Sequence, residues 1–142
     1  CARAAAQALL DRLDLDRPAL PAILIPAGSP GGQTPDRAAL RQLEALARPG
    51  DVLLSFLPDA AQTAMGPVLA LAQESGLTCI TLCGRPVADQ SLPGLVIDVP
   101  DASAAPASLV HDLLFAAGHL VCRLVDYYLF ENVTAIQTVD PQ

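Results

Sequence analysis

The sequence predicts an α/β domain: a three-layer α-β-α sandwich built around a parallel sheet. Two observations carry this. The runs Ala22–Ile25, Val52–Phe56, Thr78–Leu82 and Leu95–Val99 are short and nearly continuous in apolar or β-branched residues, the pattern of strands covered on both faces. Between them lie stretches with helical spacing of leucine and alanine, so each strand can return to the same sheet through a helix.

The elements follow in order. Ala2–Leu13 is rich in alanine and leucine and free of glycine and proline, which predicts a helix. Asp14–Pro21 is a polar, proline-bounded connection, and Ala22–Ile25 is the first strand in the chain. Pro26–Pro35 is a loop of Gly, Pro and Ser. Thr34-Pro35-Asp36 then reads as a helix start: a capping hydroxyl, a proline suited to the first position and an acid in the first turn. That helix runs to about Ala47, with Leu40, Leu43 and Leu46 in phase, and Pro49-Gly50 ends it. After the strand Val52–Phe56, Leu57–Gln62 is the loop leaving it. A helix from Thr63 to Glu74 carries Pro67 near its first turn and is closed by Gly76. Thr78–Leu82 is a strand, Gly84–Pro93 a loop, and Leu95–Val99 the last strand, ended by Pro100. Ser103 caps a long helix from Ala104 to Phe130. The domain is therefore expected over residues 1–130, with 131–142 as a tail of no clear period. Parallel sheets of this class open on a strand, and this chain opens on a helix at Cys-Ala-Arg. The first strand is expected upstream of Cys1.

Composition narrows the function classes. At 142 residues, 52% hydrophobic and 16% charged, the chain can bury one domain core. A net charge of −7 leaves no basic surface for phosphate backbones, so nucleic acid is not expected as a direct partner. All eight basic residues are arginine. The cysteines are Cys1, Cys79, Cys83 and Cys122. Cys79 and Cys83 share a face of one strand and cannot pair within it, and their spacing is not a usual zinc spacing. They read as buried free thiols of a reducing, cytoplasmic environment.

The final helix is the most informative element. It is long enough to span a bilayer, but His111, Asp112, His119, Arg123 and Asp126 interrupt it, so no membrane insertion is expected. On a wheel of about 100° per residue, Ser108, Asp112, His119, Arg123 and Asp126 fall within a sector of about 60°. This stripe is either a plain solvated face or the wall of a cleft with His119 as an acid/base. The remaining circumference is wider in apolar surface than one sheet requires, which predicts packing on a second chain.

Ligands of open parallel sheets sit at the carboxyl ends of the strands. Leu57-Pro58-Asp59-Ala60-Ala61-Gln62-Thr63 is poorly made for a phosphate there. Pro58 has no N–H, Asp59 repels, and only Ser55, Gln62 and Thr63 can donate. Gly28-Ser29-Pro30-Gly31-Gly32 has glycines but no basic residue, and reads as a connection.

Several phrases now identify a resemblance. Arg17-Pro18-Ala19-Leu20-Pro21-Ala22-Ile23, Arg48-Pro49-Gly50-Asp51-Val52-Leu53-Leu54 and Ile80-Thr81-Leu82-Cys83-Gly84 resemble the sugar isomerase (SIS) domain of the phosphoheptose isomerase type. Leu124-Val125-Asp126-Tyr127-Tyr128-Leu129-Phe130 is similar to the ending of the DnaA initiator-associating relative in that family. The resemblance covers about residues 2–130. It implies a flavodoxin-like parallel sheet, a homo-oligomer, and conversion of sedoheptulose 7-phosphate by a glutamate and a histidine, with a hydroxyl-rich phosphate loop. The histidine falls on His119, the glutamate near Ala8, a site glutamine on His111, and the phosphate loop on Leu57–Gln62. Some members hold zinc through histidine, glutamate and glutamine. Here the carboxylate is missing, so no cofactor or metal is expected, and zinc is the one metal the resemblance leaves to consider. With one histidine kept and its partners lost, the sequence predicts a non-catalytic, oligomeric scaffold or regulatory module that binds a carbohydrate derivative or a replication initiator protein. The alternative is a phosphoheptose isomerase, or a subunit of one completed by an intact paralogue.

Overall fold

The computed structural model describes residues 1–11, 13–25, 37–58, 65–84, 92–99 and 105–132. Its elements are α1 (Ala2–Leu10), α2 (Arg37–Leu46), β1 (Val52–Leu57), α3 (Gly66–Glu74), β2 (Thr78–Cys83), β3 (Leu95–Asp98) and α4 (Ala107–Asp126), which continues into a π-helical turn at Tyr127–Glu131. The chain is α/β, as its sequence predicts. The capping residues at 34–36 and 103, the loop at 26–35 and the tail from 133 onward lie outside the described residues.

Contacts divide the chain into two compact units, residues 25–114 and residues 1–24 with 115–142. The first unit holds a three-stranded parallel sheet in the order β1-β2-β3. Register places Leu54 beside Ile80, Ser55 beside Thr81 and Leu57 beside Cys83. Ala39 and Leu43 of α2, Val68 and Ala72 of α3 and Cys79 of β2 form one buried cluster. Pro67 stands in the first turn of α3, where its missing N–H costs nothing. Gly76 ends that helix with φ +79°, a left-handed conformation that glycine adopts without strain.

One expected strand is absent. Ala22–Ile25 is not in a ladder, and Ile23 is 64% exposed, although Ile25 touches the core cluster. In the flavodoxin-like strand order the second strand pairs only with the first. The described elements begin with α1, so this segment has no ladder partner. The outer strand β3 also departs from the expected double burial. Leu95 and Ile97 are exposed, as befits an edge.

In the second unit, α1 lies against the latter half of α4. The Cys122 thiol donates to the Ala5 carbonyl at 3.8 Å. Arg17 binds both helices. Its Nε donates to Asp126 Oδ1 at 2.6 Å, Nη2 to the Ala8 carbonyl at 2.9 Å, and Nη1 to the Leu9 and Pro18 carbonyls at 3.0 Å. The guanidinium thus satisfies carbonyls that the end of α1 leaves open while pairing a buried carboxylate. Phe130 lies 5.7 Å from the same guanidinium. Asp126 is therefore not part of a solvated stripe, which corrects the wheel. The buried positions of α4 are Val110, Leu114, Gly118, Cys122 and Asp126. They form an i, i+4 ridge that turns about 40° at each step and ends among the polar positions.

Candidate active site

The carboxyl edge of the sheet is formed by Leu57 and Pro58 after β1, Gly84 after β2 and Val99 after β3. The Gly84 N–H donates to the Leu57 carbonyl and the Val99 N–H to the Cys83 carbonyl, both at 2.8 Å. Gly84 is required here by space. A Cβ would clash with Val110 Cγ1 and stand 2.6 Å from the Pro58 carbonyl oxygen. The first turns of α4 therefore lie directly on the edge where this fold class binds ligands. His111 follows Val110 and is exposed beside it.

Ser55, a predicted ligand donor, is not brought to that edge. It is buried within β1, and its hydroxyl is 2.8 Å from Thr81 Oγ1 across the register pair. The two hydroxyls satisfy each other inside the sheet, which is the condition for burying them at all. Gln62 and Thr63 lie outside the described residues.

His119 stands in the second unit, half-buried on α4. Its ring centroid is 4.6 Å from that of Phe115, tilted by 44°. The eight-residue separation puts His111 and His119 about 12 Å apart along the axis and about 80° apart around it. Ala8, where the resemblance puts a glutamate, is buried in α1, and its carbonyl is taken by Arg17. No group at position 8 can exchange a proton or hold a metal. Among the described residues, no three His, Cys, Asp or Glu side chains come together as a metal site. The carboxylate of the family's zinc set has no counterpart at position 8, which is alanine.

The Arg17–Asp126 pair is the feature that sequence reasoning missed. The side chains are 1% and 7% exposed. Arg17 was visible only as part of a family phrase, and Asp126 only as one more polar residue on the stripe. The same burial acts on Cys122. Desolvation pushes its thiol up, the nearby Asp126 carboxylate adds to this, and the Arg17 guanidinium opposes it. Burial also pushes the Cys79 thiol up.

A parallel sheet with helices packed on it, and the first turns of α4 at its carboxyl edge, defines an α/β fold of the doubly wound class. No family model matches the chain. Comparison with curated proteins is more specific. The chain is 31% identical to the phosphoheptose isomerase of Maridesulfovibrio salexigens over 145 residues, covering 96% of this chain and 68% of the relative. It is 32% identical to that of Desulfovibrio desulfuricans over 142 residues, covering 89% of this chain and 62% of the relative. The structure of a phosphoheptose isomerase from Francisella tularensis matches with a TM-score of 0.63 at 20% identity, covering 88% of this chain and 69% of that one. The chain belongs to the phosphoheptose isomerase family, of the SIS-domain type. It spans a little under two thirds of the length of several of these relatives.

Proposed function

We propose that the chain is the isomerase domain of a phosphoheptose isomerase-type protein, acting on a sugar phosphate such as sedoheptulose 7-phosphate. The observation that carries this reading is the 31% identity to a phosphoheptose isomerase over 96% of the chain. It favours the activity over the scaffold, since the relatives carry the enzyme's name. Isomerisation takes a proton from one carbon and returns one to its neighbour while hydroxyl and carbonyl exchange places. The step needs positioned acid and base groups and a held phosphate. His119 is the proton-transfer group on this chain, because a histidine serves as acid or base near neutral pH. The second group and the phosphate grip come from another chain, an intact paralogue in a mixed oligomer, because position 8 is a buried alanine.

That same alanine favours a second reading, a non-catalytic module that keeps the fold for assembly or regulation. One assay separates the two. Sedoheptulose 7-phosphate is supplied to the full chain alone and then mixed with an intact paralogue bearing its own His→Ala substitution. Turnover by the mixture that disappears with His119→Gln supports the isomerase reading. Turnover in neither condition supports the module.

A further inference from the structure

The buried ridge of α4 carries one charged residue, Asp126, after Val110, Leu114, Gly118 and Cys122. Stability does not call for a charge there, since a well-packed apolar pair in place of a buried ion pair is commonly as stable or more so. What the ion pair adds is direction. Apolar packing alone loses uniqueness of setting before it loses stability. Arg17, by contrast, donates through Nε to Asp126 Oδ1 at 2.6 Å, through Nη2 to the Ala8 carbonyl at 2.9 Å, and through Nη1 to the Leu9 and Pro18 carbonyls at 3.0 Å. A planar fork meets all of these acceptors in one orientation. The two side chains are 1% and 7% exposed, so a bond broken by a turn of α4 would not be made good by water.

His119 stands on the same length of helix. Asp126 follows it by two turns, about 10 Å along the axis and about 20° around it, so whatever fixes the rotation of α4 at Asp126 fixes it at His119. Cys122, between them, is held against the same neighbour, its thiol donating to the Ala5 carbonyl of α1 at 3.8 Å. The His119 ring lies half-buried against Phe115, ring centroids 4.6 Å apart. At about 5–6 Å from the helix axis, a rotation of about 10° would carry the ring about 1 Å, and a misplacement of that size at a reacting proton costs up to about a hundredfold in rate. We infer that Arg17 is a positioning residue for His119. By locking Asp126 to the end of α1, it sets the angle at which the imidazole meets the reacting carbon. The role rests on the isomerase reading, in which His119 transfers the proton.

The test uses two variants of the full chain. Arg17→Met with Asp126→Leu keeps the site packed without charges, and Arg17→Lys keeps the counter-ion but not the fork. Each is mixed with the intact paralogue disabled at its own histidine and supplied with sedoheptulose 7-phosphate. The expected result is a kcat lowered at least about tenfold with KM within about twofold, in the double variant despite its recovered stability in urea. A purely structural pair would return activity together with stability. The second readout needs no turnover. A nitroxide on the exposed Cys1 thiol, at the start of α1, broadens the His119 ring signals in NMR. Wild type shows one set with one degree of broadening, and each folded variant shows doubled signals or altered broadening. Wild-type kcat in a folded variant, or unchanged His119 signals, overturns the inference. If the wild-type mixture itself is inactive, the isomerase reading falls separately, and the His119 signals still decide whether Arg17 positions that ring.

Discussion

On one side of α4, Val110, Leu114, Gly118, Cys122 and Asp126 are buried; on the other, Leu109, Leu113, Leu120 and Leu124 stand exposed. By residue type the exposed side is the more uniformly apolar, four leucines against a mixture of Val, Leu, Gly, Cys and Asp. What separates them is that the spacing of four is unbroken on the buried side, a single ridge from Val110 to Asp126 that turns around the helix, and interrupted between Leu113 and Leu120 on the other. The ridge ends on a carboxylate, and the chain meets it with a guanidinium whose donors are spent on Asp126 and on carbonyls around the end of α1. The buried side is thus closed chemically, with every polar group matched. The open side keeps its apolar area exposed, and its Arg123 pairs with Asp14 at the surface.

The largest effect expected from breaking the closed side is at Arg17. Arg17→Met leaves Asp126 buried without its counter-ion and should cost about 3–5 kcal/mol in urea unfolding. The double variant Arg17→Met with Asp126→Leu should recover much of that, because the loss is dominated by the orphaned charge. An additive double variant would contradict this reading. The contrast between the two sides is then measured directly by leucine truncation. Leu114, fully buried, should lose about 2–5 kcal/mol as Leu114→Ala. Leu120, 59% exposed, should lose no more than about 0.5 kcal/mol as Leu120→Ala, read as unfolding at a concentration where the chain is monomeric.

A somewhat smaller effect is expected where α4 meets the sheet. Gly84→Ala forces a Cβ onto Val110 and the Pro58 carbonyl and should cost about 1–3 kcal/mol. Val110→Ala in the same chain should return only part of it, because the carbonyl is backbone. Inside the sheet, Ser55→Ala leaves the Thr81 hydroxyl without its partner and should cost about 1 kcal/mol. Thiol reactivity should follow the same division. Cys1 is exposed, whereas Cys79 and Cys122 are buried with thiols pushed up, so iodoacetamide should modify Cys1 in the native state and the other two only on unfolding. Because both buried thiols ionise at a higher pH in the folded chain than in the unfolded one, their contribution to stability holds at neutral pH. It is lost as pH climbs past the ordinary thiol range into the raised one.

The sequence revealed those parts of the fold that are written in local pattern. β1 and β2 end one residue beyond their expected bounds and β3 one residue short, because continuous apolar runs mark buried strands whatever their neighbours. Ala22–Ile25 has the same pattern but no ladder, since a strand exists only with a partner and the pattern does not say where the partner is. In the site, the position of His111 and His119 on one helix was legible from periodicity. The commitment of Ser55 to Thr81 was not, although both hydroxyls stand at the fourth place of two six-residue strands, a signal that in-register parallel pairing would have explained. Arg17 and Asp126 are 109 residues apart, and no local pattern links them.

For this member of the phosphoheptose isomerase family, proton transfer by His119 is the central proposal. Turnover of sedoheptulose 7-phosphate, measured for the full chain mixed with an intact paralogue disabled at its own histidine, tests that most directly. The account predicts isomerisation by the mixture and its loss with His119→Gln, while folding and assembly are unchanged. Turnover that persists undiminished in His119→Gln would contradict it.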